Sequence, residues 1–477
     1  MPTITSPADF DSYGAISAIT EYVPAAGRGG PVSPATYAKP EGAANTFENR
    51  IARSHGVPVP VRDVTGEFDD FRRDDNGSPI LSAAVIINGI ASEAHRITDA
   101  LLGLDDVEWG RIVIAPPGRD RSEAAVAEAR ADADKLTQAD KKWGSSLFHG
   151  PDADTVALAI ADAMEHAGSS SWEASHRHAD ALIRYADNPE TGQQLWSGTS
   201  DLKRTLISAD PLRDATWLLR NAFSSLLLGF WNANSGAGVR AKLARSLTAE
   251  VMGYGAHLVV TGTTKGSDIG DMSKNLAMCL GDDGQLMMLP QSLSPAQQKS
   301  LPPTQKKWQG KPSEFGIGTV PGPLGASAVS CETILRRSTL SLARLRNLRF
   351  GDGPDAAAKR TAAVRALSAA GMYATAVVAS EVCDLRSGTT LAPVSTAWPT
   401  YTTRGEKVLL DVDTDTARSV LLAAMDDLDR LGLGQADPIT LTHSGAVLQA
   451  RASSAAERKD DDNSSGTAKA SSAGESS

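Results

Sequence analysis

The stretch "ILRRSTLSLARLRNLRFG", Ile334 to Gly351, carries five arginines among neutral residues in a chain of net charge −10. What those arginines do depends on how the stretch folds. At about 100° per residue, Arg336, Arg337 and Arg344 share an arc of about 100°, with Leu335 and Leu342 roughly opposite. The spacing predicts a helix with an apolar floor and a guanidinium roof, ending near Arg346 and Arg349. Guanidinium forks match phosphate oxygens bidentately, a job for which arginine suits better than lysine. The other reading is a solvated face ion-paired to the chain's own carboxylates.

Charge is segregated along the sequence. Between Lys203 and Phe350 stand 18 Lys and Arg against nine Asp and Glu. The rest of the chain is therefore strongly acidic. This pattern points either to an anionic partner at one face or to basic and acidic segments that neutralise each other in the fold.

The 477 residues exceed a minimal domain and fit one large, embellished one. Hydrophobic residues make up 41% and aromatics 5%, so the chain is globular with a core of Ala, Leu and Val. Cys279, Cys331 and Cys383 are few and far apart, which argues against a disulfide framework and against structural zinc, and fits a reducing cytoplasm. The first residues, MPTITSPADF, show no secretory signal pattern. No uninterrupted apolar run is long enough for a membrane span.

The first 45 residues, rich in Gly, Pro, Ala and Ser, read as an extended arm. Ala43 to His55 reads as helical, and "VPVPVRDVTGEF" as a strand edge or loop. Ile80 to Leu104 reads mostly as helix, and "RIVIAPPG" as a short strand. Gly118 to Ser197, with eight basic and 14 acidic residues, reads as an inserted, water-facing helical lobe. "DATWLLRNAFSSLLLGFW" is a buried element. "AKLARSLTAEVMGYGAHLVVTG" reads as a helix running into a strand. Asp282 to Ser313 is a long Pro-, Gln- and Lys-rich loop of the kind that carries function or is disordered. Two long helices, Ala356 to Glu381 and Asp415 to Leu431, flank "CDLRSGTTLAP". Residues 451–477 form a polar, disordered tail.

"NANSGAGVRAKLARS", Asn232 to Ser246, is a Gly- and Asn-rich turn entering a helix that bears Arg240, Lys242 and Arg245, a pattern suited to anions. "GTTKGSD", with Lys265, lacks Walker A spacing. "GIGTVPGPLG" is interrupted by prolines and followed by no suitably placed acid, so it is not a dinucleotide fingerprint. His176 and His178 lie at i, i+2 and face apart on a helix, so metal ligation is not expected. A lone His95 beside Arg96 is a candidate acid for RNA cleavage. No nucleophile elbow or paired-carboxylate constellation stands out.

Several stretches, in order, resemble the backbone subunit of the type I-G (formerly I-U) CRISPR surveillance complex, the seven-family of the RAMP superfamily. They are "NTFENRIARSHGVPVPVRDV", "IASEAHRITDALL", "LLLGFWNANSGAGVRAKLARSLTAEVMGYG", "TTKGSDIGDM", "STLSLARLRNLRFG" and "CDLRSGTTLAP". The lobe at 118–197, "NANSG" and the acidic tail depart from the family pattern. The resemblance implies an α+β fold: an RRM-like, ferredoxin-like RAMP palm with large helical and loop insertions, as one domain over residues 1–450. It implies a non-catalytic, cofactor-free and metal-free subunit that polymerises along CRISPR RNA and holds it for pairing with a target DNA strand. The implied partners are further copies of the chain, a five/six-family fusion subunit, the large subunit and a recruited helicase-nuclease, with no membrane. Base pairing reads sequence in such a system while protein grips the backbone. The expected RNA contacts are Asn49, Arg50, His95, Arg96, Arg240, Lys242, Arg245, Lys265, Arg336, Arg337, Arg344 and Arg386. Arg50 and Arg386 have the strongest structural alternative. Lys306, Lys307 and Trp308 stand in a thumb-like loop, with Trp308 suited to stacking. The alternatives are a RAMP-type endoribonuclease using His95 and a metal-dependent hydrolase using His176 and His178.

Overall fold

Thr333–Ser341 is a strand, not a helix. In the computed structural model it lies in the middle of an eight-stranded antiparallel sheet. The structure describes residues 1–63, 67–115, 169–195, 201–208, 210–231, 242–261, 264–265, 276–280, 286–290, 320–321 and 325–442.

The elements used below are β1 (Tyr13–Pro24), β2 (Arg53–Pro58), β3 (Leu81–Asn88), α1 (Ile90–Leu102), α2 (Thr216–Asn221), α3 (Phe223–Leu228), β4 (Phe230–Trp231), β5 (Lys242–Leu243), β6 (Leu247–Tyr254), β7 (Thr333–Ser341), α4 (Ala356–Ser380), β8 (Cys383–Arg386), β9 (Thr389–Thr402), β10 (Lys407–Leu410) and α5 (Thr414–Arg430). The sheet runs β8-β9-β1-β7-β6-β3-β2, with β10 added on β9. At its centre, β1, α1, β6, β7, α4 and β9 follow one another as strand–helix–strand–strand–helix–strand. Those four strands stand in the spatial order fourth, first, third, second.

Strand alternation fixes the two faces. Ile334, Arg336, Ser338 and Leu340 of β7 are all buried, register with Tyr22, Thr20, Ala18 and Ile16 of β1, and share one face. α1 and α4 cover that face, and α5 packs on α4. From Ala366 to Ala379, α4 carries no charged residue because that stretch is buried on nearly every side. It is long and apolar enough to cross a membrane, but 89% of the relevant window is buried, as expected of a core helix. Its Gly371 lets it close on the sheet: a Cβ there would lie 2.9 Å from Leu340 Cδ1. Asp413 Oδ1 accepts from Thr416 N at 2.8 Å and caps α5.

The opposite face shows Ser17, Ile19 and Glu21 of β1, Thr248, Glu250 and Met252 of β6, and Arg337 and Thr339 of β7. Val59 and Phe68, from the segment between β2 and β3, cluster with Leu335 and Tyr254 over one end of it.

Several sequence expectations are corrected. The arginine stretch is a strand until Ser341, whose Oγ accepts from Arg344 N and caps the single turn Leu342–Leu345. The alternation of "ILRRSTLS" between two covered neighbours overrides its helical spacing. The amino-terminal segment is no arm, since β1 is a central strand. Ala43 to His55 holds turns and the start of β2 instead of a helix. Ile80 to Leu104 is a strand and then a helix, broken at Gly89. Lys242 and Leu243 are strand, and β6 follows directly, so no helix occupies 242–254. The described end of the expected lobe, 169–195, packs inward: Trp172 is fully buried, 5.2 Å from Trp109. The long helices are observed at Ala356–Ser380 and Thr414–Arg430. Residues 118–168 of the lobe and the tail 451–477 lie outside the described residues. So does the expected thumb loop apart from the strand Leu286–Pro290.

Candidate nucleic-acid interface

The predicted arginines fall into two populations. The first is tied into the fold, with Arg336 sealed inside and Arg96 and Arg386 partly buried. Arg336 is 0% exposed and donates Nε to Glu93 Oε2 at 2.7 Å. Arg96 Nη1 reaches Glu93 Oε1 at 3.0 Å, and Asn88 Nδ2 reaches the same oxygen at 2.6 Å. Burial alone would raise the Glu93 carboxyl; the guanidiniums of Arg336 and then Arg96 override it and hold it below its ordinary value. Burial likewise works against the charge on Arg96, and the facing Glu93 raises its pKa in spite of that. Arg386 donates to the carbonyls of Ser33 (2.8 Å) and Ile87 (2.6 Å) and to Asn88 Oδ1 (3.2 Å). Arg336, Arg96 and Arg386 thus clamp α1, β3, β7 and β8 together. Arg336 in particular cannot touch a partner, and its place among the RNA contacts is withdrawn.

The second population is on the surface, and part of it stands on the paired strands β4 and β5. Trp231 is 52% exposed. It pairs in register with Lys242, so the two side chains rise on the same side. The His176 ring stands edge-on to Trp231 at 5.4 Å. Arg245, two residues beyond β5, is exposed, and its charge is felt by Arg177 below. Neither Lys242 nor Arg245 forms an ion pair with a described carboxylate. Gly229 makes the hairpin possible: its φ is +74°, and a Cβ there would lie 2.5 Å from Leu243 O.

The hairpin rests on a rigid base. Phe230 is buried against the His178 ring, centroids 4.6 Å apart. His178 Nδ1 shares a hydrogen bond with Ser225 Oγ at 2.8 Å. Burial pushes the His178 pKa down to about 3, so the ring is neutral. Arg177 is buried too; burial, and then Arg245, lower its pKa to about 10. It is held at φ +56° and donates Nη1 to Trp172 O and to Thr98 Oγ1. His176 and His178 serve the hairpin and do not converge on a metal. Among the described residues no cluster of three or more His, Cys, Asp or Glu has metal-binding geometry.

The remaining expected contacts are scattered. Arg337 rises from the open sheet face, donating to the Tyr254 hydroxyl with its guanidinium 5.0 Å above that ring. His95 is exposed on α1, which covers the other face, so these two residues do not share a surface. Asn49 Nδ2 donates to Ala44 O at 2.9 Å, while Arg50 and Arg344 are exposed, with no side-chain partner among the described residues. Lys265 is in a two-residue strand paired with Val320–Pro321. Its side chain, and Arg240, Lys306, Lys307 and Trp308, lie outside the description. The residue that sequence reasoning missed is Trp231. Its signal is an aromatic at the end of an apolar run, followed at once by a Gly/Asn turn and cations.

Residues 120–258 match the family model described as CRISPR-associated protein GSU0053. That match supports a CRISPR-associated protein. It spans under a third of the chain and takes in His176, Trp231, Lys242 and Arg245. No curated protein matches the chain. Among solved structures, a chain titled "CRISPR RNA-guided surveillance complex, pre-nicking" aligns with 92% of this chain and 100% of its own length. Its identity is 13% and its TM-score 0.27, values that carry no argument about fold.

Proposed function

We propose that the chain is a non-catalytic, RNA-gripping backbone subunit of a type I-G CRISPR surveillance complex. The observation that carries this reading is the exposed Trp231 with His176 and Lys242 beside it and the exposed Arg245 three residues further along, inside the span that matches the CRISPR-associated family. An aromatic face stacks on any base, and unpaired cations beside it neutralise phosphates, which together give a sequence-tolerant hold on a single strand. The strand order of the central sheet, with both helices on one face, supports a ferredoxin-like, RRM-like RAMP palm. In this reading residues 1–450 act as one domain in the cytoplasm. Copies line up along one CRISPR RNA, and the other complex subunits, target DNA and a helicase-nuclease join that assembly. His95 then has no catalytic duty.

The test is photo-crosslinking of the full chain to a 30-nucleotide RNA carrying 4-thiouridine, with crosslinked peptides mapped by mass spectrometry. Crosslinks at Trp231 or within the flanking hairpin are expected. RNA that crosslinks elsewhere and spares this hairpin would refute the assignment. Cleavage of a repeat RNA that disappears in His95→Ala would replace it with the endoribonuclease reading.

A further inference from the structure

The open sheet face ends in a cavity of about 540 Å³ between β1, β9 and the segment that arches over them. Its floor is Glu21, only 7% exposed. Arg28 Nη1 donates to Glu21 Oε1 at 3.1 Å. Arg62 Nε and Nη2 donate to Glu21 Oε2 at 3.1 and 2.5 Å, and Nη2 also reaches Ser395 Oγ. Among the residues that line the cavity, two guanidiniums therefore share one carboxylate, which leaves one positive charge over there. Among the described residues nothing takes Nε or Nη2 of Arg28, whose side chain is 66% exposed. Among the described residues nothing takes Nη1 of Arg62, whose side chain is 37% exposed. The rim is apolar: Pro60, Val61 and Val394, the last 47% exposed.

We propose that this cavity receives the C-terminal carboxylate of a polypeptide partner whose last residue is aliphatic. One surplus charge suits a monoanion, and two unused guanidinium edges suit the two oxygens of a carboxylate. The valine rim suits a branched aliphatic side chain. A nucleotide fits less well. The Phe68 ring, the aromatic wall of the cavity, is already covered by Arg62 at 5.1 Å, so that face is not free for a base. Beside the cavity Lys407 is shared by Glu67 and Asp69, a group of net charge −1 that weighs further against a dianion. This site is separate from the Trp231 hairpin and does not rest on the function proposed above.

The test titrates the full chain with three fluorescent probes: a hexapeptide ending in Val-Leu with a free carboxylate, the same peptide as its C-terminal amide, and a 5′-phosphorylated hexanucleotide. The free acid should bind saturably and the amide at least tenfold more weakly. Arg28→Ala and Val394→Asp should each weaken the acid tenfold or more. Both residues are exposed, and unchanged thermal melts would show that both variants fold. Their binding to single-stranded RNA at the hairpin should be unaltered, so failure here leaves the RNA reading intact. Equal binding of acid and amide, or no saturable peptide binding, would overturn the proposal. Saturable uptake of the hexanucleotide in place of the peptide would make the cavity a nucleic-acid site instead.

Discussion

Arg336 and Lys242 both belong to the basic middle of the sequence, and they end in opposite environments. Arg336 is sealed under α1 against Glu93, while Lys242 stands in water beside Trp231. A basic run in a sequence therefore shows where cations are encoded, not where they are exposed. What separates the two is the partner. Glu93 lies one turn into α1, and the fold brings it beneath β7, whereas no described carboxylate reaches the hairpin. Arg336 still leaves Nη1 and Nη2 without protein acceptors, so its burial is costly and depends on Glu93.

The contrast makes unequal predictions. The largest effect is at the buried pair. Arg336→Ala should lower unfolding free energy by about 3 kcal/mol in urea titrations, because it leaves Glu93 Oε2 without its donor in the core while Arg96 and Asn88 still hold Oε1. The paired replacement Glu93→Leu with Arg336→Met should recover most of that loss. If Arg336→Ala melts like the wild type, the buried population is misassigned.

Next comes the hairpin aromatic. Trp231→Ala should cost about 1–3 kcal/mol of RNA affinity, read by fluorescence anisotropy, with little change in salt dependence. A fall in salt slope as large as that from losing a cation would mean that Trp231 positions charges and does not stack.

The base of the hairpin supplies a smaller, pH-dependent effect. The unfolded His178 titrates near its ordinary value of 6.5, whereas burial holds the folded ring to about 3. Below 6.5 the unfolded chain takes up a proton that the folded chain refuses. Stability should therefore decline as pH falls from 6.5 toward 3, by up to about 1.4 kcal/mol per pH unit from this group. His178→Gln should flatten the curve between pH 6.5 and 5.5. Parallel wild-type and variant curves in that window would contradict the buried neutral ring.

The sequence makes the helices far easier to read than the strands. The spans around 356–380 and 414–430 are visible because long apolar and amphipathic patterns survive local noise. β1 is hidden: its buried face presents Ile16, Ala18, Thr20 and Tyr22, two of them weakly apolar, next to a Gly- and Pro-rich stretch. β7 carries Arg336 at a core position, and such a charge suggests solvent until its partner Glu93, 243 residues away in sequence, is known. Lys242 and Arg245 are legible as exposed cations because a Gly- and Asn-rich sequence precedes them. Trp231 resembles one more core aromatic until Gly229 is seen to turn the chain outward.

The central claim is that the exposed cations of the hairpin, and not the buried arginines, grip phosphates. The most direct test measures the Kd of full-length chain for a single-stranded RNA from 50 to 300 mM salt, with wild type and Lys242→Ala/Arg245→Ala. Each lost phosphate contact should remove about 0.7 from the log–log slope, so the double variant should be shallower by about 1.4 at unchanged folding stability. A slope identical to wild type, with both proteins folded, would contradict the account.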